Sequence, residues 1–147
     1  MGAMRSSCRF AMAVHVLAVL AYNEGDPVSS ARLAGSVNTH PVIIRRLLLS
    51  LKRARLIETR KGAGAGSRLS RSPRRINLAD IYRAVEDAPA FATPHRKPNA
   101  ECPVGSCIRE TLHGIFTSAQ DALLESLQMT TLAGVIDSCA CASRRPG

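Results

Sequence analysis

The sequence predicts a mainly α fold: a winged helix-turn-helix with a small β-hairpin wing, followed by a long C-terminal dimerisation helix. Three observations carry that expectation. Two apolar helical patterns between Ser29 and Ala54 are joined by a short turn around Gly35 and Asn38. A basic stretch, Arg60 to Arg71, places glycine at every second position through Gly62, Gly64 and Gly66. Beyond a proline-rich segment, Val104, Ile108, Leu112, Phe116, Ala119, Leu123 and Leu127 recur every three or four residues.

At 147 residues the chain buries one modest core, so one compact domain plus an appendage is expected. Aromatics are only 3% of a chain that is 46% hydrophobic, so Leu, Ile, Val and Ala must build the core, which favours helices. The 5 cysteines, at positions 8, 102, 107, 139 and 141, are odd in number and form no disulfide framework. Reduced thiols and a cytoplasmic location follow. Arg5 and Arg9 ahead of the apolar run Phe10 to Tyr22 loosely resemble an export signal. His15 interrupts that run, no small-residue cleavage site follows, and it falls short of the ~20 apolar residues a bilayer span needs. It reads as a core helix, and no membrane association is expected.

In order, Phe10, Val14, Leu17, Ala18 and Ala21 give the first helix its apolar spacing, with His15 as a partly buried packing residue. Asn23-Glu24-Gly25-Asp26-Pro27 ends it. Ser29 or Ser30 caps a second helix reaching Gly35, and Gly35 and Asn38 bracket a tight turn because both tolerate a left-handed backbone. Asn38 or Thr39 caps the third helix, with Pro41 in its first turn, and this helix runs to about Ala54. Ala34 is small enough to let the two helices cross closely. Leu56 to Thr59 favours a strand leading into the glycine-spaced wing. Asn77 caps a short helix with Leu78, Ile81, Tyr82 and Val85 inward. Pro89, Pro94, Pro98 and Pro103 then impose an extended linker. The domain plan is a winged-helix domain over 1–87, a linker over 88–103, a dimerisation helix and short final helix over 104–137, and a disordered tail over 138–147.

Between Thr39 and Arg75 stand Arg45, Arg46, Lys52, Arg53, Arg55, Arg60, Lys61, Arg68, Arg71, Arg74 and Arg75 against one acid, Glu58. The whole chain carries +9, so the rest is close to neutral. Charge gathered this way answers to a polyanion, because each neutralised phosphate releases counterions. The expected partner is double-stranded DNA at a promoter operator. Thr39, His40, Pro41 and Val42 occupy the tip that a recognition helix places in a major groove, and Arg45 or Arg46 either takes a guanine edge or touches phosphates. Ser29, Arg60, Lys61, Gly62, Gly64, Gly66 and Arg68 complete the candidate contact set. A phosphate loop is excluded, since no Gly-Lys-Ser or Gly-Lys-Thr ends the glycine run. An enzyme finds no paired carboxylates and no nucleophile with an oriented base. A non-specific nucleic-acid-binding or architectural protein would use the same basic surface.

Taken together, Phe10 to Ile136 resembles the Rrf2 family of bacterial winged-helix transcription regulators. The most specific pieces are the wing-like Lys61 to Leu69, the stretch Ile76 to Glu86, and Thr130-Thr131-Leu132-Ala133. The resemblance implies a homodimer gripping a palindromic operator, usually to repress, with Ile108, Leu112, Phe116, Leu123 and Leu127 in the dimer seam. Two departures stand out. Ala65 replaces a usual wing glycine and Ser67 a common aromatic, and only Cys102 and Cys107 occupy the region where cluster-binding members carry three cysteines.

Those two cysteines leave four readings open. An iron-sulfur cluster wants about four ligands, which Cys8 of a second copy or the Cys139 and Cys141 pair would have to complete. Zinc on Cys102, Cys107 and His113 lacks tight ligand spacing. A redox switch needs no metal, since the two thiols are near enough in sequence to pair. Simple space filling is the fourth. No resident cofactor and no metal ligand set is expected, with the cluster as the alternative.

Overall fold

In the computed structural model, which describes residues 6–144, helix α1 spans Ser6–Tyr22 and lies at the centre of the packing. Ala13, Val16, Leu17 and Leu20 are fully buried, whereas Phe10, Val14, Ala18 and Ala21 are only partly so. The inward face is thus turned by about one residue from the predicted one, because α1 is covered on several sides. His15 is exposed and shares a 3.1 Å hydrogen bond with Ser36 Oγ, so it ties α1 to the next helix and does not pack inside.

Helix α2 spans Ser30–Val37, and Ser29 Oγ accepts from the Arg32 amide at its N-terminus. Gly35 lies inside α2, so the turn rests on Asn38 alone, whose φ of 60° is left-handed. Asparagine is among the few residues that take that conformation cheaply. Helix α3 spans Pro41–Arg53 and is capped by His40, two residues and one residue beyond the predicted caps. His40 Nδ1 accepts the Val42 amide at 3.1 Å. Leu33 and Ala34 of α2 and Ile44, Leu47, Leu48 and Leu51 of α3 are buried together, each large side chain contributing roughly 1.5–3 kcal/mol of transfer free energy.

Leu56 and Ile57 are buried and anchor the wing: strands β1, Ile57–Arg60, and β2, Gly66–Leu69, pair antiparallel with Ile57 opposite Leu69 and Arg60 opposite Gly66. Val28 adds a single bridge to this hairpin. Its N–H and C=O both exchange 2.9 Å bonds with Ser67. A β-carbon at Gly66 would stand 2.8 Å from the Val28 backbone, so only glycine permits this approach. A 3-10 turn over Pro73–Arg75 leads to α4, Leu78–Val85, closed by a reciprocal cap between Asn77 and Asp80. Just after α4, burial holds the Glu86 carboxyl above its ordinary pKa, with Arg9 opposing and Asp87 adding to the rise.

Helix α5 spans Ile108–Gln128, some 31 Å at about 1.5 Å per residue. It starts one turn later than the apolar stripe suggested. Val104 sits in the turns after Pro103, and Cys107, with a non-helical φ of −126°, is the residue at which α5 begins. Helix α6 then spans Leu132–Ser143. Leu132 is fully buried and its N–H donates to Ile76 O at 2.8 Å, while the Leu78 N–H donates to Thr130 O at 3.0 Å. The final helix therefore docks on the winged-helix body and does not extend the dimerisation unit. It also contradicts the expected disorder from 138, since no glycine or proline stops an alanine- and cysteine-rich run before Pro146. Residues 1–5 of the expected first domain and 145–147 of the expected tail lie outside the described residues.

Candidate nucleic-acid interface

The side of α3 turned away from its buried residues carries Val42, Arg45, Arg46, Leu49, Lys52 and Arg53, all exposed. At helical spacing Val42 and Leu49 are seven residues apart and fall on one line, 42% and 55% exposed. Arg45 and Lys52 flank that line on one side, Arg46 and Arg53 on the other. An apolar spine between two cationic edges matches the section of a duplex groove, with bases in the floor and phosphates on both rims. Leu49, Lys52 and Arg53 were not among the candidate contacts. The seven-residue spacing from Val42, Arg45 and Arg46 was the signal that pointed to them.

The two central arginines are not equivalent. Arg46 lines a cleft with Arg9, Met12, Ile43 and Leu47 between α1 and α3, whereas Arg45 stands on the opposite edge. Thr39 is half-buried and its amide donates to Ala34 O, so it serves the turn. His40 is exposed, but its Nδ1 is spent on the cap, which leaves Nε2–H as the donor facing solvent. Pro41 holds the first helical position, and Ser29 caps α2.

In the wing, Arg60 and Lys61 are exposed at the end of β1 and the start of the loop, and Gly62 and Gly64 carry φ of 84° and 74°. Arg68 differs from the other cations. Across the hairpin it meets Glu58 at 3.2 Å, so its charge is partly satisfied within the chain. Among the described residues none of the other ten cations between Arg45 and Arg75 has a carboxylate within ion-pair distance, and all ten are exposed.

A profile of the Rrf2 family, described as iron-dependent transcriptional regulators, matches residues 6–138. The chain belongs to the Rrf2 family. YwnA of Bacillus subtilis (strain 168), named as an HTH-type transcriptional regulator, is 36% identical over 129 residues, 88% of this chain and 95% of that protein. A crystal structure described as that of a DNA-binding protein is 36% identical, with a TM-score of 0.71, covering 87% of this chain and 98% of that one. T. potens IscR is 23% identical with a TM-score of 0.69, covering 95% and 90%, a likeness of fold. The chain is thus a transcriptional regulator of the Rrf2 family, and its relatives are regulators and not enzymes. Among the described residues no helix is long and apolar enough to cross a membrane.

The donors that the iron of the Rrf2 description would need are not gathered within one chain among the described residues. Cys107 points its thiol back at the carbonyls of Pro103 and Val104, 3.5 and 3.6 Å away. Among the described residues no three His, Cys, Asp or Glu side chains come together to hold a metal, so Cys102, Cys107 and His113 do not converge. Both cysteines are exposed, as are Cys8, Cys139 and Cys141.

The expected dimer seam of this Rrf2 chain divides in two. Ile108 and Leu112 share a helix line with Ile115, Ala119 and Ala122, and Ile115 is 56% exposed although no sequence argument singled it out. Phe116 leaves that line. Its ring meets Phe91 of the chain's own linker at 5.4 Å, and Leu123 and Leu127, seven and eleven residues on, lie in the same angular direction as Phe116, away from Ile115. The 88–103 linker is accordingly a strap along α5, held by the Ala90 amide on Gln120 Oε1 at 3.0 Å and Arg109 on Pro94 O at 3.1 Å.

Proposed function

We propose that this regulator is a homodimeric, sequence-specific repressor that grips a palindromic operator in duplex DNA through two copies of α3 and the wing. The observation that carries the reading is the solvent face of α3, an apolar line of Val42 and Leu49 between unneutralised cationic edges. In a major groove, Val42 meets thymine methyl groups and Arg45 reaches a guanine, a contact worth about 1–3 kcal/mol of discrimination. Arg46, Lys52 and Arg53 hold phosphates. Arg60 and Lys61 follow the backbone beyond, with Gly62 and Gly64 letting the wing tip approach closely. Two such heads related by a two-fold axis read a palindrome.

The dimer forms along Ile108, Leu112, Ile115 and Ala119 of α5, and the regulator works in the cytoplasm without a resident cluster or metal. Oxidation of Cys102 and Cys107 is the second reading for its signal. It is favoured by their joint exposure on either side of a turn in which the Ser106 amide reaches Cys102 O at 2.9 Å.

Competition between the chain's own promoter fragment and random duplex at fixed salt tests the reading, since specific binders exceed non-specific affinity by roughly 10³-fold or more. Arg45→Ala is expected to lower affinity for the operator more than for random duplex. Equal weakening of both refutes base reading by Arg45, and equal affinity of the unaltered protein for both refutes specificity in favour of architectural binding. Serine at both 102 and 107 is expected to abolish any response of operator affinity to peroxide, and an unchanged response removes the thiol switch.

A further inference from the structure

The cleft between the strap and the N-terminal half of α5 has no part in reading DNA, and its lining is chemically graded. Its volume is about 400 Å³, within the ~300–1,000 Å³ of small-molecule sites. At one end stand Arg109 and His113, one helical turn apart, with His95 of the strap opposite. In the middle are the rings of Phe91 and Phe116, tilted by 30° to one another. At the far end lies Asp121. Arg109 donates one bond to Pro94 O and has no carboxylate within ion-pair distance among the described residues, so most of its five donors remain unused. Gln120 Oε1 already accepts the Ala90 amide.

We propose that this cleft binds a small single-ring aromatic carboxylate. The guanidinium of Arg109 accepts a carboxylate in its planar fork, with the imidazoles of His95 and His113 beside it. The ligand ring lies on the Phe91 and Phe116 surface, where offset aromatic contacts add to apolar burial. Asp121 repels an anionic group at the far end and accepts a hydrogen bond from a ring hydroxyl, which fixes the orientation and favours a monoanion over a phosphate dianion. The cleft faces a different side of α5 from the Ile108, Leu112 and Ile115 line, so a dimer built on that line leaves it open. A ligand held between Arg109 and Phe91 adds contacts between strap and α5, where two hydrogen bonds and one ring pair now act, and so sets how the long helix sits beneath the reading head.

The test is isothermal titration of the full chain, without DNA, with 4-hydroxybenzoate. Saturable binding is expected, at least tenfold weaker for 4-hydroxybenzyl alcohol, which lacks the carboxylate, and at least tenfold weaker in Arg109→Gln. Phe91→Ala, on the exposed strap, and His113→Ala repeat the loss in chains whose thermal melting is unchanged, while Arg45→Ala on the basic α3 surface retains full affinity. Absence of saturable binding, equal binding of the alcohol, or an equal loss in Arg45→Ala would overturn the proposal.

Discussion

Single residues set the wing and its charge. Gly66 passes 2.8 Å from the Val28 backbone once a β-carbon is imagined there, and its φ of 155° is hostile to side chains. Gly66→Ala is expected to destabilise the fold by about 1–3 kcal/mol, the range for a residue forced into a sparsely populated backbone region, read as a lower midpoint in urea. Gly35→Ala runs the other way. It stands inside α2 with open space around it, so about 0.4–1 kcal/mol of stabilisation is expected in the same measurement. Glu58 holds Arg68 at 3.2 Å, an exposed pair worth about 0–1 kcal/mol to stability. Glu58→Gln should leave the urea midpoint nearly unchanged while freeing a cation, steepening the salt dependence of duplex binding by about one logarithmic unit per unit. An unaltered slope would place Arg68 away from the phosphates.

At the scale of elements, the helices and hairpin were readable because their signals are local. Pro41 at the first position of α3, the Asn77 and Asp80 cap of α4, and glycine at 62 and 64 each announce themselves within one turn of chain. What escaped depends on partners distant in sequence. The Val28 bridge to Ser67 is a single residue long, and the capture of Phe116 by Phe91 spans 25 positions, so no periodicity betrays either. The apolar residues of α5 were recognised, but one stripe was read where two faces exist, one under the strap and one open. Helix α6 starts at the Thr131 cap and continues to Ser143, past the expected onset of disorder at 138, because its residues after Ser138 are helix-tolerant and continue the same ladder. The candidate contacts on α3 were found at its tip, and the continuation through Leu49 to Arg53 was missed. The division of α5 makes a prediction: Ile115→Glu gives a monomer in sedimentation velocity with unchanged helical content, while Phe116→Leu, on the strap side, remains a dimer. A dimeric Ile115→Glu protein would move the seam elsewhere.

The whole molecule is one body from α1 to α4, re-entered by α6 through Leu132, with α5 projecting its open apolar line beside it. Positive charge and helix tip belong to the body and the proposed pairing face to α5, so the proposed two-headed grip on DNA requires both. The most direct measurement is sedimentation of the purified full chain with a labelled duplex carrying its own promoter, at low salt. The account predicts a dimer when free and two chains per duplex when bound. A chain that stays monomeric and sediments apart from the duplex would contradict it.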